Sequence, residues 1–182
     1  MFAHPIGDGA ELTPLEPWHA EELFAVVERF REYLAPTIPL ARLAPTVDEV
    51  RASLQRFADG HANDTRHMFA VRQDGQIVGV VQLFFFDAAA GTCEMGVWFI
   101  PPAQGRGLAT RACSQVIGWV FRERGLARVQ WTNSPANTAS GALARRLGMT
   151  REGLLRSNGV TDGVRSDNEI WSILADEWAA RP

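Results

Sequence analysis

The hydrophobic pattern changes its period in the middle of the chain, and this change restricts the fold more than any other feature. Three runs with the composition of strands follow one another over residues 68–72, 77–86 and 92–100, and they are dense in Val, Leu and Phe. Asp74-Gly75 separates the first two runs and is typical of a hairpin turn. The pattern therefore predicts an antiparallel meander of three strands at the centre of the chain.

Helical spacing flanks this meander on both sides. Thr46 and Glu49 form a capping-box pattern at the start of one predicted helix. Four helices are predicted in all, over residues 17–33, 47–60, 107–124 and 137–147. Further short strands are predicted at residues 12–15, 127–132, 150–156 and 168–174, with turns at Asn158-Gly159 and Asp162-Gly163. The order is β-α-α-β-β-β-α-β-α-β-β, which predicts one α/β domain over residues 1–182.

Composition excludes several classes of protein. The net charge is −3 and all 18 basic residues are arginine, so we expect no general nucleic-acid binder. Cys93 and Cys113 have no metal-ligand spacing, and two thiols form no disulfide framework, so we expect no metal. The first five residues lack the pattern of a signal peptide, and no apolar run is long enough to span a membrane. We therefore expect a cytoplasmic protein.

A glycine-rich turn precedes the third predicted helix, and it reads Gln104-Gly105-Arg106-Gly107-Leu108-Ala109. The first N–H groups of a helix have no internal acceptor, and the helix dipole adds partial positive charge there. A pyrophosphate suits such a turn, and Arg106 and Arg111 can add charge-assisted contacts. The spacing matches neither a dinucleotide fingerprint nor a P-loop. An ordinary turn between a strand and a helix stays open as the alternative.

The same residues resemble a known family. Gln104-x-x-Gly107-x-Ala109 resembles the Gln/Arg-x-x-Gly-x-Gly/Ala motif of the Gcn5-related N-acetyltransferases (GNAT). Residues 94–99 are similar to the central strand of that family, and residues 136–140 with 147–149 are similar to the second coenzyme A motif of its ribosomal-protein-serine acetyltransferase branch. Met149, Val97 and Trp171 depart from that branch and affect packing or pocket shape. The motifs occur in the right order over nearly the whole chain.

This resemblance implies a single-domain GNAT fold, with a mixed, mostly antiparallel sheet, flanking helices and a central parallel strand pair that splays apart. It implies acetyl-CoA as the cofactor, with pantetheine beside the main chain of Trp98, Phe99 and Ile100. It further implies that Asn137 contacts the pantetheine arm, although Asn137 also suits a helix cap alone. The turn and the helix start would hold the pyrophosphate through Gln104, Gly105, Arg106, Gly107, Leu108, Ala109, Thr110 and Arg111. Relatives are often homodimers, and the sequence itself leaves the oligomeric state open.

Two residues are the candidate catalytic groups. Glu94 interrupts an otherwise apolar strand, so we expect it to act as the base, directly or through water. A solvent-facing Glu94 is the alternative. The resemblance implies that Ser140 donates a proton or a hydrogen bond to the departing sulfur. Gly96 is placed to permit a bulge, after which a main-chain N–H can face the acetyl oxygen. Cys93 is interpreted as a buried small hydrophobe and not as a nucleophile.

The acceptor amine is the least determined part of the prediction. The branch resemblance implies the α-amino group of a protein N-terminus, as on a ribosomal protein. A small-molecule amine such as an antibiotic or an aminoacyl-nucleotide stays open, as does a CoA-binding module without catalysis. A plain interaction domain without a CoA site is a further alternative. We expect residues 33–38 and 158–167 to wall the acceptor site.

Overall fold

A computed structural model of the protein describes residues 3–181. The predicted domain and the predicted lack of a signal peptide also involve Met1, Phe2 and Pro182, which lie outside the described residues. Eight strands form one sheet, in the order β1-β2-β3-β4-β5-β6-β8-β7. The strands are β1 (His4–Gly7), β2 (Ala10–Pro14), β3 (His67–Gln73), β4 (Gln76–Asp87), β5 (Thr92–Phe99), β6 (Arg128–Asn133), β7 (Thr150–Thr161) and β8 (Val164–Leu174).

Every neighbouring pair of strands is antiparallel except β5 and β6, which run parallel. Strands β3, β4 and β5 form the predicted meander, and β6 joins it after a crossover through a helix. The predicted mixed, mostly antiparallel α/β fold is therefore confirmed, with its single parallel pair near the centre of the sheet.

Seven α-helices accompany the sheet in the described part of the chain. They are α1 (Ala20–Arg29), α2 (Arg31–Leu34), α3 (Pro39–Leu43), α4 (Val47–Ala62), α5 (Leu108–Arg122), α6 (Thr138–Arg146) and α7 (Ala175–Ala179). The capping box is confirmed at α4, where the Glu49 N–H donates to Thr46 Oγ1 and the Thr46 N–H donates to Glu49 Oε2. No described helix is long and apolar enough to cross a membrane.

The helices cover the two faces of the sheet. The Trp119 ring of α5 lies 5.9 Å from Phe69, and the Phe57 ring of α4 lies 5.6 Å from Phe84. Phe69 is directly opposite Val81, three residues before Phe84 on β4, so the two phenylalanines point to opposite faces. Consequently α5 packs on one face of the sheet and α4 on the other, with the buried core divided between them.

Several predictions of single elements were wrong. The helix expected over residues 17–33 is interrupted at Phe30, where the backbone leaves helical geometry (φ −117°, ψ 21°). Strand β1 and helices α3 and α7 were not predicted, because each has at most five residues and too little periodicity. The turn expected at Asn158-Gly159 is absent, because Gly159 pairs with Ser166 inside the hairpin and only Asp162-Gly163 turns the chain.

The bulge expected at Gly96 lies instead on the neighbouring strand. Gly96 pairs regularly with Gln82, whereas the register shifts between Phe84 and Asp87. Phe85 adopts a left-handed φ of 47° within this bulge and is 73% exposed. The extra residue on β4 is thus accommodated by turning Phe85 outward, and β5 itself stays regular.

Candidate functional site

The parallel pair separates soon after it forms. Residues 92–94 of β5 pair with residues 128–130 of β6, and the pairing then stops. Beyond this point β5 pairs with β4 alone, and β6 pairs with β8 alone. The two strands therefore enclose an open gap, as the resemblance implied, with Glu94 and Gln130 at its closed end.

Main-chain groups of β5 line this gap in alternation. The Ile100 N–H donates to Val78 O over 3.0 Å, so the main-chain groups of Ile100 point toward β4. Main-chain direction alternates along a strand, so the main-chain groups of Trp98, two residues earlier, also point toward β4. Val97 and Phe99 then turn theirs toward the gap. Trp98, Phe99 and Ile100 thus all lie along the gap, but Phe99 is the one of the three whose main chain faces it.

The glycine turn is built to expose amides. Gly105 and Gly107 have left-handed φ values of 78° and 73°, and Gly107 is the N-cap residue of α5 without a side-chain cap. In the described chain, the N–H groups of residues 105–110 donate to no protein acceptor, and the first helical bond runs from Arg111 N–H to Gly107 O. These amides form a cluster of free donors at the positive end of the helix dipole.

The two arginines beside the turn are partly committed elsewhere. Arg111 donates to Ile6 O over 2.8 Å and lies 2.7 Å from an Asp8 carboxylate oxygen. Arg106 donates to Gln73 Oε1 over 2.9 Å. The unpredicted hairpin of β1 and β2 supplies two of these acceptors, so Arg111 braces the turn against the sheet. Its predicted contact with a bound anion stays a prediction.

Gln104 also has protein partners. Its Nε2 donates to Tyr33 Oη over 2.7 Å and to Phe99 O over 3.1 Å. The side chain therefore links α2 to the end of β5 and caps the carbonyl that faces the gap. Tyr33, expected only as part of the acceptor wall, is half-exposed and lies at this junction.

Asn137 and Ser140 lie one turn apart on α6. Asn137 Oδ1 accepts a hydrogen bond from the Ser140 N–H over 3.1 Å, which confirms Asn137 as the helix cap. Ser140 Oγ accepts a hydrogen bond from the indole Nε1–H of Trp131 over 2.9 Å. An indole N–H can only donate, so the Ser140 hydroxyl keeps its own proton for another acceptor.

Glu94 sits at the closed end of the gap and is half-buried. Gln130 Nε2 lies 3.3 Å from Glu94 Oε2 and donates to it. Gln130 and Trp131 are consecutive in β6, so their side chains point to opposite faces of the sheet. One strand therefore holds Glu94 on one face of the gap and Ser140 on the other. The sequence did not predict Gln130 and Trp131 as the hydrogen-bond donors of this site, because a Gln and a Trp in a strand form no recognisable motif.

Neither cysteine belongs to this site. Burial raises the pKa of Cys93 and of Cys113 to about 12, and the charge of Glu94 adds to the effect at Cys93. Both thiols therefore stay protonated at neutral pH, and the interpretation of Cys93 as a buried hydrophobe is confirmed.

The hairpin tip and the segment before α3 approach each other. Asp162, at the tip of the β7–β8 hairpin, lies 3.4 Å from Arg42 Nε of α3. The hairpin tip thus bends toward α3, while Tyr33 and Ile38 occupy the segment between α1 and α3. The two predicted wall segments are therefore brought to the same side of the sheet.

Comparisons with known proteins agree with this geometry. A model of the acetyltransferase (GNAT) domain family matches residues 10–150. Putative ribosomal N-acetyltransferase YdaF of Bacillus subtilis is 26% identical over 183 residues, covering 98% of each chain. RimL, a ribosomal L7/L12 alpha-N-protein acetyltransferase solved with coenzyme A, has a TM-score of 0.91 and 19% identity over 96% of this chain and 99% of its own.

A third similar protein is the microcin C7 self immunity acetyltransferase MccE, solved with acetyl-CoA and AMP. Its TM-score is 0.87 at 23% identity, over 93% of this chain and 94% of its own. The two solved structures share the fold of this chain, and the family match spans most of its length. The chain belongs to the acetyltransferase (GNAT) domain family and is an acetyl-CoA-dependent N-acetyltransferase.

Proposed function

We propose that this protein transfers the acetyl group of acetyl-CoA to the α-amino group of a protein N-terminus, as on a ribosomal protein. The observation that carries the proposal is the pair of bonds from Gln130 to Glu94 and from Trp131 to Ser140. Together they hold a carboxylate and a hydroxyl on the two faces of one gap. An amine that loses a proton and a thiolate that gains one need such groups on opposite sides of the thioester.

The residues present fit acetyl-CoA. Free N–H groups at residues 105–110 suit a pyrophosphate, and at Gly105 an added Cβ would meet no atom within 4 Å, so the turn is open. Phe99 turns its main chain into the gap, where the amides of pantetheine can pair with it as an added strand would. Asn137 lies at the start of α6 on the same side as Ser140. Acetyl-CoA, when bound, supplies the acetyl group as a thioester.

Each candidate group then has one task. Glu94 takes the proton of the incoming amine, directly or through one water, from the face covered by α1 and α4. The main-chain N–H of Val97 faces the gap and can donate to the acetyl oxygen. Ser140 donates a hydrogen bond to the departing sulfur from the opposite face, and the thiolate takes its proton from solvent. Arg106, Arg111 and Gln104 position the turn and the end of β5, and Arg106 keeps an exposed guanidinium near the phosphates.

A carboxylate base deprotonates an α-amino acceptor more readily than it deprotonates a lysine side chain. The pKa of an α-amino group is near 8, against about 10.4 for a lysine side chain. A relative of similar length is named for ribosomal N-acetylation, and the RimL structure is named for an alpha-N-protein reaction. These names support the same acceptor class here. They also support a cytoplasmic location, because ribosomal proteins are made and assembled there.

The decisive experiment offers the enzyme a choice of amines. Purified protein and acetyl-CoA are incubated with peptides that begin with Ser or Ala, with matched peptides whose only amine is a lysine, with aminoglycosides and with aminoacyl adenylates. Mass spectrometry then identifies the acetylated product. We expect acetylation of the free peptide N-termini and little of the lysine peptides. Preferential acetylation of an aminoglycoside or an aminoacyl adenylate would replace this proposal by a small-molecule activity.

A further inference from the structure

A cavity of about 350 Å³ lies between the sheet and helices α1, α3 and α4. Its floor is formed by side chains of β3, β4 and β5, and its walls by side chains of the three helices. The floor residues are Met68, Val80, Gln82, Phe84 and Trp98. The volume is within the range of sites that bind small organic groups.

The register of β4 and β5 relates this cavity to Glu94. Phe84 is directly opposite Glu94, Gln82 opposite Gly96, and Val80 opposite Trp98. Side chains of directly opposed residues lie on one face, so the floor begins at Phe84, beside Glu94. Two residues of a strand span about 7 Å. In an extended acceptor peptide whose amine is held at Glu94, the side chain that reaches the centre of the floor is therefore one or two residues beyond the first residue.

Gly96 lets side chains of the neighbouring strand lie close against β5 between Glu94 and Trp98. A Cβ at this position would lie 2.9 Å from the Phe84 ring and 3.2 Å from Gln82 Nε2. The Phe84 and Gln82 side chains therefore fill this space, and a side chain at position 96 would displace them from the floor of the cavity. The φ of Gly96 is not left-handed. Glycine is therefore required here because it has no side chain, and not because of its backbone conformation.

The chemistry of the cavity is apolar. Trp98 of the floor and Phe57 of the α4 wall are both buried, and Leu23 and Val80 add aliphatic surface. Of the described residues that line it, Glu49 and Arg56 are the charged ones, and both are exposed at the rim. Glu49 is already bonded to Thr46. Inside the rim, a guest in this cavity thus meets mostly hydrocarbon, with the amide of Gln82 and the hydroxyl of Ser53.

We propose that this cavity binds an apolar side chain of the acceptor, at the second or third residue of the polypeptide whose N-terminus is acetylated. The inference rests on the proposed function and adds to it a sequence preference. Burial of a large aliphatic or aromatic side chain contributes about 1.5–3 kcal/mol, which corresponds to about 10- to 100-fold in kcat/KM. A charged side chain at the apolar floor loses its hydration there, because the charged groups of Glu49 and Arg56 lie at the rim.

The test uses peptides that begin with Ser and differ only at the second and third residues. The series carries Leu, Phe, Gly, Asp or Arg at each of the two positions in turn. We expect kcat/KM with Leu or Phe at one of them to exceed that with Gly by about 10-fold or more, and that with Asp or Arg to fall below it.

Two variants connect the preference to the cavity. Ser53→Phe extends a ring from α4 into the cavity and is expected to bring the Leu-to-Gly ratio of kcat/KM close to one. Met68→Gln makes the floor polar at nearly constant volume and is expected to lower the same ratio, and it carries the test if Ser53→Phe does not fold. Gln55→Phe is the matched control, because Gln55 is exposed on α4 outside the cavity, and it should keep the ratio of the parent protein.

The outcomes separate this inference from the proposed function. Equal rates for all peptides would overturn the apolar subsite and leave N-terminal acetylation intact. A preference that survives both Ser53→Phe and Met68→Gln would also overturn it, since the preference would then arise elsewhere. Turnover of no peptide at all, with turnover of a small amine, would overturn the proposed function and this inference with it.

Discussion

The indole N–H of Trp131 donates a 2.9 Å hydrogen bond to Oγ of Ser140, joining β6 to the first turn of α6. Trp131 is the first residue of β6 beyond its pairing with β5, so this bond lies at the point where the gap opens. A hydroxyl that accepts a hydrogen bond becomes a better donor itself. The bond therefore both fixes the Ser140 hydroxyl and strengthens the hydrogen bond that this hydroxyl can donate.

Trp131→Phe is expected to lower kcat by about 10-fold, which is the rate equivalent of one lost hydrogen bond. Trp171→Phe is the matched control. Trp171 is buried opposite Trp131 on β8, and its Nε1 has no described partner, so kcat should stay near that of the parent. In a Ser140→Ala background the Trp131→Phe change should have little further effect. Additive losses in the double variant would show that Trp131 acts through packing alone.

Glu94→Gln is expected to lower kcat/KM by about 100-fold or more at pH 7, because general bases contribute at least that much. The deficit should shrink as the pH rises through about 8, where an α-amino group loses its proton without help. Initial rates between pH 6 and pH 10 measure this. Glu123→Gln, an exposed carboxylate at the end of α5, is the control and should follow the parent profile. A deficit that is constant with pH would exclude the role of Glu94 as base.

The sequence predicted the parts of this site that depend on local backbone geometry. Gly107 before a helix predicted free amides, and Asn137 predicted a cap, since both effects arise within one turn of helix. The meander and its hairpin turn followed equally from local periodicity. These features could be predicted without knowing which elements pack against them.

The partners of the site residues could not be predicted in this way. Gln104 meets Tyr33 from 71 positions away, and Arg111 meets Ile6 from 105 positions away. Such contacts depend on the tertiary fold, which places β1 beside α5 and brings Tyr33 of α2 within reach of Gln104, just beyond β5. The expected bulge at Gly96 failed for the same reason. A glycine is needed at position 96 because the side chains of Phe84 and Gln82 on β4 occupy the place of a Cβ, and not because the backbone bulges there.

Gly107→Glu is expected to abolish CoA binding, because it places a carboxylate among the free amides of the turn and forces a side chain into a left-handed conformation. The backbone strain costs about 1–2 kcal/mol, which alone should not unfold the domain. Gly125→Glu is the matched control, since Gly125 has a φ of 68° at the other end of the same helix and open space around it. Calorimetry with CoA and thermal melting measure both variants. CoA affinity retained in Gly107→Glu would refute the placement of the pyrophosphate.

His67 makes the stability of the fold depend on pH. Its side chain is buried against Trp119 and Phe86, with Nδ1 2.8 Å from His61 Nδ1 and Nε2 3.2 Å from Asp64 Oδ1. Burial, with the charge of His61 as a smaller cause, lowers the pKa of His67 from 6.5 to about 4. The Arg124 guanidinium, paired with Asp64, also faces this cluster and opposes a further positive charge.

Between pH 6.5 and pH 4 the unfolded chain therefore binds a proton at His67 that the folded chain does not. The free energy of unfolding should fall as the pH falls through this window, by up to about 3 kcal/mol. Denaturant unfolding at a series of pH values measures the slope. His67→Phe should flatten it, whereas His4→Gln, at an exposed position on β1, should leave it unchanged. A His67→Phe protein with the full parental slope would assign the acid sensitivity to other groups, because a phenylalanine at position 67 cannot bind a proton.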